Sequence, residues 1–372
     1  MIHATFGKKS SKFKVAILIK EDSFDREELE QFYVKPLTKR GIAPEDITAF
    51  SLFYQGKKVT AAQAREYLGR LLPALKRLGV NQLVVADAFY FKILTGCKKA
   101  DSEHGYVHPC KVKDLEYFNV SIVPNYKGRF FNERVEPQIL YDINIVADFL
   151  QGSYEPPGVD IIKNARYVDT LVDFKAELRK LHAYPRITCD VETFSLKHYK
   201  AGIGTIGFAT DIGSGFACVI DRTIKHPSKF FCAYRQALVE FFQDYEGVVM
   251  YHNATFDIKI LIFNLFMQNI NDQAGLLRGL EVMTKNVCCT KIVTYLATNN
   301  TGGNKLGLKD QSYEFAGNYA VEEINDINKI PTAKLLEYNL VDCFCTWYVY
   351  EKHWQRMVDE DQLDIYNEGF IP

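Results

Sequence analysis

Asp190 and Glu192 stand two residues apart in I-T-C-D-V-E-T-F, Asp257 closes Y-H-N-A-T-F-D, and Asp342 ends Y-N-L-V-D, four residues after Tyr338. A site rich in carboxylates has one obvious use, which is to hold divalent metal against a phosphate. Hard cations such as Mg²⁺ take oxygen ligands and are usually bound by a few carboxylates plus substrate phosphate. Two such ions about 3.5–4 Å apart can clamp both the attacking and the leaving oxygen of an in-line displacement. The residue types therefore point to hydrolysis or transfer at phosphorus with two Mg²⁺ or Mn²⁺ ions. Each piece alone has a plainer use. A D-x-E can be a solvated strand edge, an Asp near a helix start can be a cap, and a Tyr and an Asp one turn apart can be mere neighbours. Their order along the chain joins them.

The elements that must position these groups can be read locally. Arg186 to Val191 alternates polar and apolar residues and reads as a strand. Side chains two apart in a strand point the same way, so Asp190 and Glu192 face one side together. Two acids on one face of a central strand are costly to desolvate unless something cationic sits there. Gly247 to Tyr251 reads as a second buried strand, leading to Asn253 and then to Asp257 at the start of an apolar-periodic helix, Ile258 to Phe266. Pro331 suits a helix N1 position, and Thr332 to Trp354 reads as a long helix. There Tyr338 and Asp342 share a face at spacing i, i+4.

In this order the three segments resemble the three motifs of the DnaQ-like 3′–5′ exonucleases, in the subclass with a tyrosine in the third motif. The resemblance is strongest to proofreading domains of bacteriophage-type family A DNA polymerases. Thr290 to Asn299 and Leu306 to Phe315, between the second and third motifs, look like that group too, and the similarity covers about Arg186 to Tyr350. It implies that Asp190 bridges two metals, that Glu192 and Asp342 complete the shell of one, and that Asp257 holds the other. Tyr338 would orient the attacking water, since a phenol with a pKa near 10 is protonated at neutral pH. Phe194, Leu196, Asn253 and Phe256 are candidates for gripping the terminal nucleotide, because aromatic and apolar faces stack on any base. Phe256 can equally pack in the core beside its helix.

Composition fits such an enzyme without demanding it. The 372 residues suffice for two domains, and the content is 47% hydrophobic with 26 Phe and 22 Tyr. A formal net charge of −1 gives no global nucleic-acid signature. Local basic groups exist: Lys8, Lys9, Lys12 and Lys14 read as a solvated N-terminal arm, while Lys197, His198 and Lys200 follow Glu192 closely enough to meet phosphate. The nine cysteines show neither zinc spacing nor a secretory frame. Free thiols in a reducing cytoplasm are expected, hence no disulfides, and the host cytoplasm if the origin is a phage. No run is long enough to span a bilayer.

Gln151 to Gly158 (Q-G-S-Y-E-P-P-G) is the best boundary, and it predicts a linker over residues 151–160. Residues 1–150 show an α/β pattern: strands at Phe13 to Lys20, Gln82 to Val85 and Val120 to Pro124, helices at Ala61 to Leu78 and Ala86 to Leu94. The order of these segments looks like the uracil-DNA glycosylase fold. Its catalytic loops have no counterpart, since Glu21-Asp22-Ser23-Phe24 lacks the glycine turn and Pro124 or Asn125 stands where that family presents a histidine. A non-catalytic binding scaffold is expected there, and His104 and His108 read as loop histidines without partner spacing. Residues 359–372 read as a tail leading to an absent polymerase region, so the chain would not itself copy DNA.

The sequence thus predicts an α/β protein, a ribonuclease-H-like mixed-sheet exonuclease domain at 161–358 preceded by a smaller α/β domain. Its expected activity is release of nucleoside 5′-monophosphates from single-stranded or frayed primer-template DNA. Two alternatives stay open at this point: an exoribonuclease with the same motifs, and a module tethering a polymerase subunit or other replication protein.

Overall fold

The computed structural model describes residues 2–8, 10–56, 58–132, 135–221, 232–298, 305–317, 319 and 326–371. Lys9, Asn299 and Pro372, named above, lie outside them. The chain divides into two compact units, Met1–Val159 and Asp160–Pro372.

The first unit is built on a six-stranded sheet with the order β1-β3-β2-β4-β6-β5. Its strands are β1 (His3–Thr5), β2 (Val15–Lys20), β3 (Ile47–Leu52), β4 (Gln82–Val85), β5 (His108–Pro109) and β6 (Asn119–Ile122). The four central strands are parallel, and β1 and β5 close the two edges antiparallel. Strands this deeply buried carry apolar residues on both faces, as V-A-I-L-I-K of β2 does. Helices Ala61–Arg77, Ala88–Thr95 and Val135–Gln151 supply the apolar faces that cover the sheet.

Three expectations need correction in or beside this unit. The basic N-terminal arm is not a loose tail: Phe6 and Phe13 are buried, β1 pairs with β3, and Lys14 pairs with Asp46 at 2.8 Å. Helix Val135–Gln151, which the sequence reading omitted, runs into the start of the predicted linker. Beyond it the Pro/Gly stretch lies against its own unit, with the Tyr106 hydroxyl donating to the Pro157 carbonyl at 2.9 Å and the Val107 N–H donating to the Tyr154 oxygen at 3.2 Å. His104 and His108, read as loop histidines, each lie against an acid: His104 Nδ1 is 2.6 Å from Asp142, and His108 Nε2 is 2.9 Å from Glu103.

The second unit is a mixed sheet with the order β12-β11-β8-β9-β10-β7. The strands are β7 (Asn164–Val168), β8 (Arg186–Glu192), β9 (Thr205–Ala209), β10 (Ser214–Val219), β11 (Val248–Tyr251) and β12 (Val287–Cys289). Strands β8, β9 and β10 form an antiparallel meander, and β11 and β12 continue parallel to β8 on its other side. This is the ribonuclease-H-like arrangement, with β7 added beside β10. Strict alternation along β8 sends Ile187, Cys189 and Val191 into one core layer. Thr188, Asp190 and Glu192 then point to the opposite face, where the long helix Thr332–Asp359 crosses the sheet. Residues 359–371 are not a detached tail, because Tyr366 is buried with Met250, Cys288 and Trp347. Its hydroxyl oxygen accepts from the Cys289 N–H at 3.1 Å. Among the described residues no helix is long and apolar enough to cross a membrane.

Candidate active site

The long helix is fixed over β8 at two points. Thr188 Oγ1 donates to the Cys343 carbonyl at 3.0 Å, and Asn339 Nδ2 donates to Asp190 at both the backbone oxygen (3.1 Å) and Oδ2 (2.6 Å). Close approach requires the absence of a side chain on β9. A Cβ placed on Gly207, the residue opposite Asp190, would come within 2.9 Å of Cys343 Sγ and 3.2 Å of the Asn339 carbonyl. With the helix held there, Asp190, Glu192 and Asp342 each bring one carboxylate oxygen within 4.8 Å of the others.

Asp257 joins this group from the far side of β8. It lies in the first turn of helix Ala254–Leu265, which begins four residues before the Ile258 that the sequence suggested. It does not cap that helix; its Oδ1 accepts from the Val191 N–H at 3.3 Å. The N-cap position belongs to Asn253, in the left-handed region at φ 68°, where asparagine is among the few tolerated side chains. His252 holds the segment in place. Its Nε2 lies 2.9 Å from the Leu306 carbonyl, which can only accept, so that nitrogen carries the proton; Nδ1 lies 2.9 Å from Thr290 Oγ1. Burial pushes its pKa down to about 4, so the imidazole stays neutral.

The electrostatics of the four acids report crowding. Burial pushes Glu192 up to about 8, with repulsion from Asp342 and Asp257 adding and Lys309 opposing. Asp257 also rises to about 8, through burial first, against the backbone N–H groups it accepts from. Burial raises Asp190 as well, followed by its three acidic neighbours. Asp342 rises only to about 6, because Lys309 and a hydrogen bond from Tyr338 offset part of its burial. The Tyr338 phenol is held above its ordinary value, first by burial and then by the surrounding carboxylates. Carboxyls forced to share protons are stabilised as anions by a bound cation. The donor set is all oxygen, which suits Mg²⁺ or Mn²⁺.

The other expected contacts are placed as follows. Phe194 and Leu196 follow β8 directly and are exposed, Leu196 by 85%. Asn253 is exposed and lies 3.4 Å from Lys291 Nζ. Phe256 is half-buried and packs on the main core of the unit. His198 packs edge-on against Phe263, and Lys197 and Lys200 are exposed nearby. Two residues escaped the sequence reading. Lys309, on helix Leu308–Ala316, sits 4.7 Å from the Tyr338 ring centroid. Asn339 is the tie to Asp190. Both lie inside segments flagged by resemblance, and a lysine near four acids, or an asparagine three residues before Asp342, was the available signal.

Fold and acid cluster together define a nuclease-type site on a ribonuclease-H-like sheet. The profile of the 3′–5′ exonuclease family matches residues 165–357, just over half of the chain, and the chain belongs to that family. Among solved structures it is similar to NrnC of Brucella melitensis bound to pGG, with 17% identity over 54% of this chain and 84% of that chain, at a TM-score of 0.38. It is also similar to RNase D of Escherichia coli, an exoribonuclease involved in structured RNA processing (15% identity, 55% and 47% covered, TM-score 0.36). The catalytic core of RRP6 from Trypanosoma brucei matches at 16% identity, with 57% and 52% covered and a TM-score of 0.39. No curated protein matches the chain.

Proposed function

We propose that this exonuclease acts on DNA, removing nucleotides from single-stranded or frayed 3′ ends in a proofreading role, with two Mg²⁺ or Mn²⁺ ions at Asp190, Glu192, Asp257 and Asp342. The observation that carries the metal assignment is the convergence of Asp190, Glu192 and Asp342 within 4.8 Å, with Asp257 hydrogen-bonded behind the same strand. Divalent ions held there would neutralise the scissile phosphate and acidify a water. The chain's own groups do the positioning. Tyr338 donates its hydroxyl proton to Asp342, so its oxygen lone pairs remain to accept from the attacking water. The phenol orients that water and does not take its proton. Asn339 fixes the rotamer of Asp190, and Lys309 offsets part of the negative charge. Water adds to the last phosphodiester, the bond from phosphorus to the 3′ oxygen of the penultimate residue breaks, and that oxygen leaves with a proton. The terminal nucleotide departs as a 5′-monophosphate.

Phe194 and Leu196, exposed beside Glu192, would offer apolar faces to the terminal base, and Asn253 and Phe256 would contribute further contacts. The DNA preference rests on the resemblance of all three motifs, and of Thr290 to Asn299 and Leu306 to Phe315, to polymerase proofreading domains. Matched DNA and RNA oligomers, labelled at either end and incubated with Mg²⁺, Mn²⁺ or EDTA, test the reading. Shortening of DNA from the 3′ end, faster than RNA and abolished by EDTA, is expected. Faster loss of RNA would reassign the substrate, and shortening from the 5′ end would refute the polarity.

A further inference from the structure

We propose that the first unit carries a zinc site made by Cys97, Glu103 and His108, separate from the acid cluster of the second unit. One ligand atom from each of these side chains lies within 4.8 Å of the others. Sulfur, carboxylate oxygen and imidazole nitrogen together form the donor set of Zn²⁺ and suit Mg²⁺ poorly. Tetrahedral ligands at about 2.1 Å from an ion stand about 3.4 Å apart, so a small adjustment of the three side chains completes the shell, with water in the fourth position.

The geometry of His108 is the second observation. Its Nε2 is removed from solvent, and Glu103 Oε2 stands 2.9 Å away, off the line of a well-directed hydrogen bond. The pair therefore meets the distance of a hydrogen bond without its direction. Two ligands facing a shared third body have that relation. The ring is also held in place, edge-on to Phe91 at 5.8 Å between centroids. Cys97 Sγ is in no disulfide, and the residue is only half-buried.

The three ligands sit where the fold has least regular structure. Cys97 follows the left-handed Gly96 that ends helix Ala88–Thr95, Glu103 closes a single 3₁₀ turn at Asp101–Glu103, and His108 begins the two-residue edge strand β5. An ion there ties the helix end to the sheet edge, supplying order that the loop's few backbone hydrogen bonds do not. Binding displaces the thiol proton of Cys97, because the thiolate is the ligand.

The full-length chain, stripped with chelator and titrated with Co²⁺, tests this. One equivalent should give the near-ultraviolet thiolate-to-cobalt charge-transfer band and the intense visible bands of a tetrahedral site, and Zn²⁺ should displace both. The bands should be lost in Cys97→Ser and weakened in Glu103→Gln, and retained in Asp190→Ala, whose lost ligand binds ions through oxygen alone. Zn²⁺ should raise the Tm of stripped wild-type protein and leave that of Cys97→Ser unchanged. Absence of a charge-transfer band in wild-type protein, or its survival in Cys97→Ser, would overturn the site. The wild-type titration decides the matter even where a variant fails to fold.

Discussion

Each of the four clustered carboxylates could hold a metal only because the fold forces it close to the others, and that closeness has a sign that can be measured. If Asp190 is the shared metal ligand proposed above, Asp190→Ala should lower exonuclease activity by several orders of magnitude. In chelator the same change relieves repulsion from Asp257, Glu192 and Asp342, so Tm should stay level or rise. A fall in Tm on the scale of a core truncation would mean that Asp190 serves packing. The pH dependence follows from the same crowding. Unfolded carboxyls titrate near 4, whereas Glu192 and Asp257 titrate near 8 in the folded chain. The folded state therefore binds more protons between these values, and stability falls as pH rises through that window. Metal-free protein should melt at lower temperature at pH 8 than at pH 6. Mg²⁺ should raise Tm more at pH 8, where fewer protons compete for the carboxylates. Equal Mg²⁺ stabilisation at both values, read by thermal melts, would contradict the raised values.

At the scale of elements, the site depends on how closely helix Thr332–Asp359 lies on β8 and β9. Gly207→Val would drive a side chain into Cys343 Sγ and the Asn339 carbonyl, and overpacking of this kind costs about 1–3 kcal/mol. The helix must lift, and Tyr338, Asn339 and Asp342 move with it. Activity should fall much further than folded population; wild-type rates from a variant with a lowered Tm would show that the acids tolerate a looser helix. What the sequence disclosed follows the same physics. Asp190, Glu192, Asp257, Asp342 and Tyr338 could be picked out because acids on a strand or an apolar helix are costly without a purpose. Strand β8 was legible through its alternation. Strands β9 (T-I-G-F-A) and β10 (S-G-F-A-C-V) were not, because buried middle strands lose the polar beat and glycine weakens the signal. Pro331 proved to be the N-cap of the long helix and not its first residue, and the helix runs five residues beyond Trp354. Lys309 and Asn339 look like ordinary helix residues until the helices that carry them are brought against the acids.

At the scale of the molecule, the division after Val159 separates two sets of cores. Two layers flank the first sheet, and the second unit buries its own sheet between a large cluster and the faces of the long helix. The acid cluster, Tyr338, Lys309 and the exposed Phe194 and Leu196 all belong to the second unit, as does the whole family match at 165–357. The Pro/Gly run at 151–158 was visible as a break in pattern, but its hydrogen bonds to Tyr106 and Val107 were not, since they depend on where a distant loop folds back. A unit with its own core and a complete site should fold and work alone. Residues 160–372, expressed without the first unit, should melt cooperatively and hydrolyse a single-stranded oligomer at a rate close to that of the full chain. Residues 1–159 should show no exonuclease activity. If the fragment 160–372 folds, by circular dichroism, but leaves 3′ ends intact at saturating Mg²⁺, then the first unit supplies substrate contacts that the acid cluster cannot replace.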